Sequence, residues 1–197
     1  MIRVFLLCVL SVIFGTNLDN WINEKSKLVK NSNYKISFDY LLKDKVMVNK
    51  ADGQNEISQH LDFFSINSDS YNEILKINSR YVIFHPEYSE IIDENSKQRF
   101  LDKKDEEFIS MKNKVLSIFL ENNFKIIKLS KAKYLLSLDD YYLNINFLFN
   151  DKENLVEELS FTENTHLINV NNLSITKIDS VSLNYDEWNS YQVIDLR

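Results

Sequence analysis

The sequence predicts a mainly β protein of the α+β class, in which an antiparallel sheet is covered by two helices. Apolar and polar residues alternate from Tyr34 onward, and many short apolar runs separated by turn residues follow. Two other stretches repeat apolar residues at the three- and four-residue spacing of an amphipathic helix. With 197 residues, of which 44% are hydrophobic, the chain is long enough to bury one core.

The composition excludes several classes of function. The chain has two glycines, one proline, one cysteine and a formal charge of −6. Gly15 and Gly53 alone cannot build a phosphate-binding loop or a dinucleotide fingerprint, so no cofactor is predicted. A single cysteine rules out a disulfide framework, and the acidic balance argues against binding nucleic acid by bulk charge. The scarcity of glycine, proline, alanine and arginine is typical of an AT-rich coding sequence.

Residues 1–16 have the order of a secretory signal peptide. Arg3 supplies a positive charge, residues 4–14 form an apolar run, and polar residues begin after Gly15. The run is too short to be a comfortable permanent membrane anchor. We therefore expect export, with cleavage near residues 15–17.

Two other interpretations of this segment stay open. Cys8 suggests a lipoprotein signal, but it lies inside the apolar run with only seven residues before it. Residues 4–14 also fit a buried strand. If the segment is removed as a signal, no cysteine remains for catalysis or metal binding.

A helix and then a strand follow the signal. Apolar residues recur at helical spacing from Leu18 to Val29, and Asn17 and Asp19 are suited to cap the start of this helix. The period then changes to two, which predicts a strand with one buried and one solvated face. The alternation begins at Tyr34, and the buried face continues with Ile36, Phe38, Tyr40 and Leu42.

An antiparallel meander is predicted next. Asp52-Gly53 is the strongest hairpin signal in the chain. Short apolar runs then occupy residues 57–66, 70–77, 81–84 and 88–92. Asparagine is expected to supply the intervening turns, because it tolerates the left-handed backbone conformation better than other non-glycine residues.

A charged stretch, a second helix and a second group of strands complete the chain. Residues 94–107 are strongly charged, and no strand is predicted there. The helix carries its apolar stripe on Phe108, Met111, Val115, Ile118 and Phe119, widened by Ile109, Leu116 and Leu120, and ends near residues 122–123. Strands are predicted at residues 124–129, 134–138, 142–149, 155–161, 167–170 and 173–178. The buried face of the third of these carries Leu143, Ile145, Phe147 and Phe149.

The inventory of catalytic residues is thin. His60, His85 and His166 are far apart and none has a second histidine at ligand spacing, so no metal site is predicted. Adjacent acidic residues such as those at 157–158 diverge on a strand or a helix and do not meet over one substrate. We therefore predict no enzyme. A hydrolase is the least supported alternative, since it needs convergent carboxylates or a histidine in a cleft.

The apolar inner faces of the strands allow two interpretations. A curved and incompletely filled sheet makes a cavity for a lipid chain, whereas a filled one is an ordinary core. Periodicity alone does not separate them, and the pattern by itself favours the filled core.

Three stretches resemble one known family. Residues 34–40 resemble its first strand, residues 86–92 the segment after its short aromatic strand, and residues 185–197, with the ending Val-Ile-Asp-Leu-Arg, its final segment. Together they resemble LolA, the periplasmic carrier of outer-membrane lipoproteins, in its Bacteroidetes versions, across residues 34–197. Two departures stand out. Residues 78–80 read Asn-Ser-Arg instead of Asp-Gly-Lys, and residues 65–71 lack the arginine that helps latch the lid in many members.

The resemblance implies a single carrier domain over residues 17–197, with a strongly curved, incomplete β-barrel and helices on its concave side. It implies a monomer in the periplasm that takes acylated lipoproteins from an inner-membrane ABC transporter and releases them to the outer membrane or to an acceptor there. No nucleic acid, metal or cofactor is implied. For each predicted cavity residue, plain core packing is the alternative. The predicted cavity residues are Ile36, Phe38, Tyr40, Leu42, Phe108, Met111, Val115, Leu143, Ile145, Phe147 and Phe149.

A second function is compatible with the same pattern. A secreted or periplasmic domain with a filled core would bind protein or glycan on its outer face and would have no lipid cavity.

Overall fold

The computed structural model describes residues 17–44, 56–66, 73–104, 109, 113, 116–120, 124–138, 143–163 and 166–197. The helices are α1 (Asn17–Asn31), α2 (residues 116–120) and α3 (Tyr185–Trp188). The strands, in chain order, are β1 (Tyr34–Asp44), β2 (Glu56–Ser65), β3 (Glu73–Ile77), β4 (Arg80–Phe84), β5 (Ser89–Asp93), β6 (Gln98–Asp102), β7 (Lys125–Lys128), β8 (Lys133–Leu138), β9 (Leu143–Asn150), β10 (Leu155–Glu163), β11 (His166–Lys177) and β12 (Gln192–Asp195).

All twelve described strands belong to one sheet. Their order is β12-β6-β5-β4-β3-β2-β1-β11-β10-β9-β8-β7, and every pair is antiparallel except β12 with β6. The sheet is curved but does not close on itself, because the edge strands β12 and β7 do not pair with each other. The predicted class is therefore confirmed: a mainly β chain with short helices and an open, curved antiparallel sheet.

Most predicted elements are found, and two predictions are wrong. The charged stretch holds strand β6, and the two runs predicted at residues 167–170 and 173–178 form the single strand β11. The sequence pattern also missed α3 and β12. The predicted signal peptide and the Asp52-Gly53 hairpin lie outside the described residues.

Asparagine adopts the left-handed conformation at two turns, as predicted, and also at one β-bulge. Asn78, Asn154 and Asn172 have φ values of 54°, 52° and 54°. On β11, Asn172 and Leu173 lie opposite the single residue Phe38 of β1, which makes a β-bulge. The bulge allows β11 to continue through Asn171-Asn172. Lys97 also has a positive φ, of 53°, in the turn before β6, which the sequence did not predict.

Helix α1 packs its predicted apolar side on the inner face of the sheet. Leu18, Trp21, Ile22 and Val29 are buried there. Ser26 is buried among them, and its hydroxyl donates to the carbonyl oxygen of Phe119 at 2.7 Å. This bond satisfies a buried polar group and ties α1 to α2.

Helix α2 contributes three buried side chains to the same inner core, from Leu116, Ile118 and Phe119. Leu120 was expected to widen the apolar stripe, but its side chain is 45% exposed. The stripe is therefore narrower at this end than predicted.

A second, smaller core lies on the outer face of β3, β4 and β5. Ile74, Ile83 and Ile92 project there, and Trp188 and Tyr191 from the C-terminal segment cover them. The same segment then adds β12 alongside β6. The region that resembled a family ending thus closes the outer face of the first meander.

Candidate functional site

Seven apolar side chains lie side by side across the inner face of the sheet, one from each of seven neighbouring strands. We call this set the apolar row. It consists of Phe100, Ile91, Val82, Leu75, Phe63, Ile36 and Ile175. Since adjacent strands are about 4.8 Å apart, the row is about 29 Å long.

One end of the apolar row is buried, and the other, which we call the uncovered end, is not fully covered by the described helices. Leu75, Phe63, Ile36 and Ile175 are buried in the core, and α1 contacts β11 at this end. At the other end the side chains of Val82, Ile91 and Phe100 are only half-buried. The inner face of β4, β5 and β6 therefore offers an apolar surface that the described helices do not fully cover.

Polar residues border the uncovered end. Arg80, Asp93 and Gln98 pair with one another across β4, β5 and β6, two residues along the strands from the row. The Nε of Arg80 donates to Oδ2 of Asp93 at 2.8 Å. The backbone N–H of Ser96, together with Arg80, lowers the pKa of the Asp93 carboxyl. A charged rim of this kind limits the apolar surface to a narrow strip.

The predicted cavity residues of β1 lie on this face. Ile36 belongs to the apolar row, and Phe38 and Tyr40 follow it along the strand with half-buried side chains. Burial raises the pKa of the Tyr40 hydroxyl. Leu42 is placed by its backbone register opposite Ile168, and its side chain lies outside the described part of the structure.

The predicted cavity residues of β9 lie in the covered half of the inner face. All four are buried, with alternate residues of the strand pointing outward. The ring of Phe149 packs against Trp21 at 6.4 Å and against Tyr134 at 6.3 Å between centroids. They share the inner face with the β1 residues but are separated from them by β10 and β11. The β9 residues are Leu143, Ile145, Phe147 and Phe149.

The three predicted cavity residues of the central helix, Phe108, Met111 and Val115, lie outside the described residues. Conversely, sequence reasoning missed the half-buried side chains of Val82, Ile91 and Phe100. Phe100 was hidden because its strand is short and lies within a charged stretch. The apolar pair Phe100-Leu101 between Arg99 and Asp102 was the available signal, and it was weak.

On the outer face, His60 of β2 joins three neighbouring strands. Its Nδ1 lies 2.7 Å from Oδ1 of Asp39 on β1, and its Nε2 lies 3.3 Å from Oδ1 of Asp62. The amide Nδ2 of Asn172 on β11 donates to Oδ2 of Asp39 at 2.6 Å. Lys35 Nζ completes the set at 2.9 Å from Oδ1 of Asp62. We call this group the His60 clasp.

The charges of the His60 clasp stabilise one another. The hydrogen bond to Asp39 raises the pKa of His60, and the bond from Asn172, followed by that from His60, lowers the pKa of Asp39. Burial acts to raise the pKa of Asp62, but hydrogen bonds from Ser37 and Lys35 outweigh it and lower that pKa. Both ring nitrogens of His60 face carboxylates, so neither is left to move a proton for a substrate.

We expect the His60 clasp to make folding stability depend on pH. Because the pKa of His60 is higher in the folded chain, its contribution is full below the unfolded value of about 6.5 and is lost as the pH rises through the folded value. The lowered carboxyl pKa values act oppositely, and their contribution is lost in acid. Since the His60 side chain is 57% exposed, we expect an effect below about 1 kcal/mol.

Urea unfolding of the wild type and of His60→Gln, at about pH 5 and about pH 8, measures this effect. The difference in the free energy of unfolding should be larger at the lower pH. A difference that is equal at both values, or larger at the higher pH, would contradict the assigned ion pairs.

The other histidines do not complete a catalytic site in the part of the chain that is described. His85 stacks on Tyr88 at 4.4 Å, and its Nε2 lies 3.3 Å from Oε2 of the buried Glu90. The side chain of His166 is not described. His60 and His85 thus each lie beside a carboxylate, a contact that the sequence did not predict. His60 does so on an exposed surface, and His85 does so beside the buried Glu90.

No three potential ligand side chains converge on a metal position in the described residues. None of the described helices is long and apolar enough to cross a bilayer.

Comparisons with known proteins add little. No protein-family model and no curated protein matches the chain. An uncharacterized conserved protein from Thermus thermophilus aligns over 90% of this chain and 98% of its own, at 5% identity and a TM-score of 0.41. LprF from Mycobacterium bovis aligns over 83% and 93%, at 10% identity and a TM-score of 0.39. Similarity this distant carries no argument about function, and membership of the carrier family stays a prediction.

Proposed function

We propose that this protein is a periplasmic carrier that binds the acyl chains of lipoproteins and moves them from the inner to the outer membrane. The observation that supports this proposal best is the apolar row, which is long, continuous and only half-buried at one end. Val82, Ile91 and Phe100 keep part of their surface open there, where an acyl chain could contact them.

The energetics of acyl transfer suit such a surface. Each buried methylene contributes about 0.8 kcal/mol, so a chain of about sixteen carbons gains on the order of 12 kcal/mol on leaving water. A carrier must recover most of this free energy, yet not exceed it greatly, or the next acceptor could not remove the chain. An apolar strip that is partly open to solvent before the acyl chain binds can bind the chain strongly and still release it. No catalytic residue is needed.

The proposed partners follow from the sequence resemblance. They are acylated lipoproteins as cargo, an inner-membrane lipoprotein-releasing ABC transporter as donor, and an outer-membrane acceptor. The carrier would act as a monomer and would catalyse no reaction.

Binding of a fluorescent fatty-acid analogue to delipidated protein tests the acyl site. We expect saturable binding, weakened about tenfold or more in Val82→Asp, because a carboxylate in the strip must lose its hydration when the chain binds. Val193→Asp is the matched control, since Val193 is 51% exposed on β12 and lies outside the apolar row. Absence of saturable binding would overturn the proposal, as would equal binding by both variants when both are folded by circular dichroism.

A domain with a filled core that binds protein or glycan is the second candidate. The burial of the four inward-pointing side chains of β9 favours a filled core in this half of the inner face. They are Leu143, Ile145, Phe147 and Phe149. This candidate predicts that the fatty-acid analogue does not bind, so the same titration separates the two.

A further inference from the structure

The edge of the sheet opposite β12 is unusually basic for this chain. Residues 124–138, which span β7 and β8, contain four lysines and no aspartate or glutamate, whereas the whole chain has a charge of −6. The lysines are Lys125, Lys128, Lys131 and Lys133, and all four are exposed. We call this segment the basic hairpin.

Large apolar side chains are exposed among these lysines. Ile127 is 52% exposed, and Leu129, at 57%, is the most exposed large apolar residue of the described chain. Ile127 pairs with Leu135 across the hairpin, and the backbone N–H of Leu129 donates to the carbonyl oxygen of Lys133 at 2.9 Å. On β9 the partners of Leu135 and Lys133 are Asn146 and Leu148, so the exposed large apolar side chains are those of β7 and the turn that follows it.

The register places this patch on the outer face. Ile126 and Leu136 pair on the inner face and pack in or against the core, so the next pair, Ile127 with Leu135, points outward. Lys125 shares the outer face with Ile127. Lys128 does not, since its Nζ lies 5.2 Å from the centre of the Tyr134 ring. The outer patch therefore carries Ile127 with Lys125 and Lys133 on the strands, and Leu129 and Lys131 are exposed in the turn that joins them.

The acidic residues of β10 lie farther from this edge of the sheet, whereas Asp151, in the turn after β9, accepts a hydrogen bond from the hydroxyl of Tyr134 at 3.5 Å. Glu158 pairs with Leu148 across β10 and β9, and Glu157 accepts a hydrogen bond from the amide of Asn150 at 2.9 Å. Strands β8 and β9 separate β10 from β7. The described strands thus carry their positive charge at the edge and their negative charge further in.

We propose that the outer face of the basic hairpin docks on the surface of an anionic phospholipid bilayer. The ammonium groups of Lys131 and Lys133 would lie among the lipid phosphates, and Ile127 and Leu129 would enter the boundary between headgroups and acyl chains. Charge complementarity supports this occupant, because clustered lysines gain free energy near an anionic leaflet and their apolar neighbours add to it. Long lysine side chains also reach polar headgroups while their methylenes stay in apolar surroundings.

The chemistry favours a lipid surface over a protein partner. Protein interfaces are enriched in aromatic residues and arginine and depleted in lysine, and this face has lysines with isoleucine and leucine. Its apolar area comes from a few side chains, well short of the roughly 800 Å² per partner of a stable protein complex. A lipid surface has no such minimum, since two inserted side chains and the charges of Lys131 and Lys133 act together.

This inference does not rest on the acyl-carrier function. The uncovered end of the apolar row lies on the inner face of β4 to β6, and the basic hairpin lies on the outer face at the other edge of the sheet. A carrier would nevertheless benefit from a second surface that holds it at a membrane during transfer.

Co-sedimentation of the purified protein with vesicles tests the proposal. We expect binding to vesicles of phosphatidylcholine mixed with phosphatidylglycerol, little binding to phosphatidylcholine alone, and release at high salt. The double variant Lys131→Gln/Lys133→Gln should bind the anionic vesicles about tenfold to thirtyfold more weakly. Ile127→Ser/Leu129→Ser should also bind more weakly, but with an unchanged dependence on salt.

Two matched variants serve as controls. Lys27→Gln/Lys30→Gln makes the same charge change on exposed positions of α1. Val193→Ser/Leu196→Ser removes apolar side chains that are 51% and 54% exposed at the other edge of the sheet. Both should bind anionic vesicles like the wild type.

Three outcomes would overturn the proposal. One is the absence of binding to anionic vesicles. Another is an equal loss of binding in the α1 control, which would indicate attraction by overall charge. The last concerns Ile127→Ser/Leu129→Ser. If this variant binds vesicles like the wild type but no longer forms a dimer that the wild type shows in light scattering, the patch binds a second copy of this chain. The fatty-acid titration with Val82→Asp fails or succeeds independently of all three.

Discussion

Replacing Trp188 with alanine should lower the free energy of unfolding by about 3–5 kcal/mol. The side chain is fully buried on the outer face, where its ring lies 4.9 Å from that of Tyr81 and 5.4 Å from that of Tyr185. Its Nε1 donates to Oε1 of Glu94 at 3.3 Å. Alanine would leave a cavity over three buried isoleucines and remove the hydrogen bond, and both changes destabilise the fold.

Urea unfolding followed by circular dichroism measures the loss, and Trp188→Phe is the control. Phenylalanine keeps most of the apolar volume, so its loss should be clearly smaller than that of alanine. Limited proteolysis adds a local readout, since loosening of α3 should expose the chain near residues 189–197. A loss below about 1 kcal/mol in Trp188→Ala would mean that the C-terminal segment is not part of the cooperative fold.

Replacing Glu90 with alanine should cost about 3 kcal/mol. The carboxylate of Glu90 is buried on the outer face, and Oε1 accepts from Arg99, whose Nε lies at 2.6 Å and Nη2 at 2.5 Å. Its other oxygen, Oε2, lies 3.3 Å from Nε2 of His85. Without Glu90 the largely buried guanidinium of Arg99 would lose its counter-ion, and this is the main source of the expected destabilisation.

The double variant Glu90→Leu/Arg99→Leu separates the cost of an unpaired charge from the value of the ion pair. Because both charges are removed and apolar volume is kept, we expect it to be markedly more stable than Glu90→Ala. Thermal and urea unfolding of the wild type, Glu90→Leu, Arg99→Leu and the double variant form a double-mutant cycle. If the double variant is as unstable as the sum of the single ones, the two residues do not act as a pair.

The periodic parts of the fold were predictable from sequence. The alternation from Tyr34 predicts β1, and the helical spacing from Leu18 predicts α1, because each element buries one face against the same core. Asparagine was expected at left-handed corners, and Asn78 and Asn154 occupy such corners. These features depend on neighbouring residues only, so a single sequence contains enough information.

The remaining features depend on contacts between distant residues. Strand β6 is charged and short, and it exists because β5 and β12 hydrogen-bond to both of its edges. The His60 clasp needs the register that brings Asp39 and Asn172 onto adjacent strands. The uncovered end of the apolar row depends on where α1 lies over the sheet, and no local pattern contains that position.

The pairing of β1 with β11 has a consequence for how the molecule folds. This ladder joins Tyr34 to Lys177 and Asp44 to His166, so its partners are far apart along the chain. Bringing them together costs loop-closure entropy before any pairing repays it, and high contact order of this kind slows folding to milliseconds or seconds. Until the ladder closes, the meander β1 to β6 and the meander β7 to β11 are two separate half-sheets. We expect their inner apolar faces to be the surfaces from which aggregation starts.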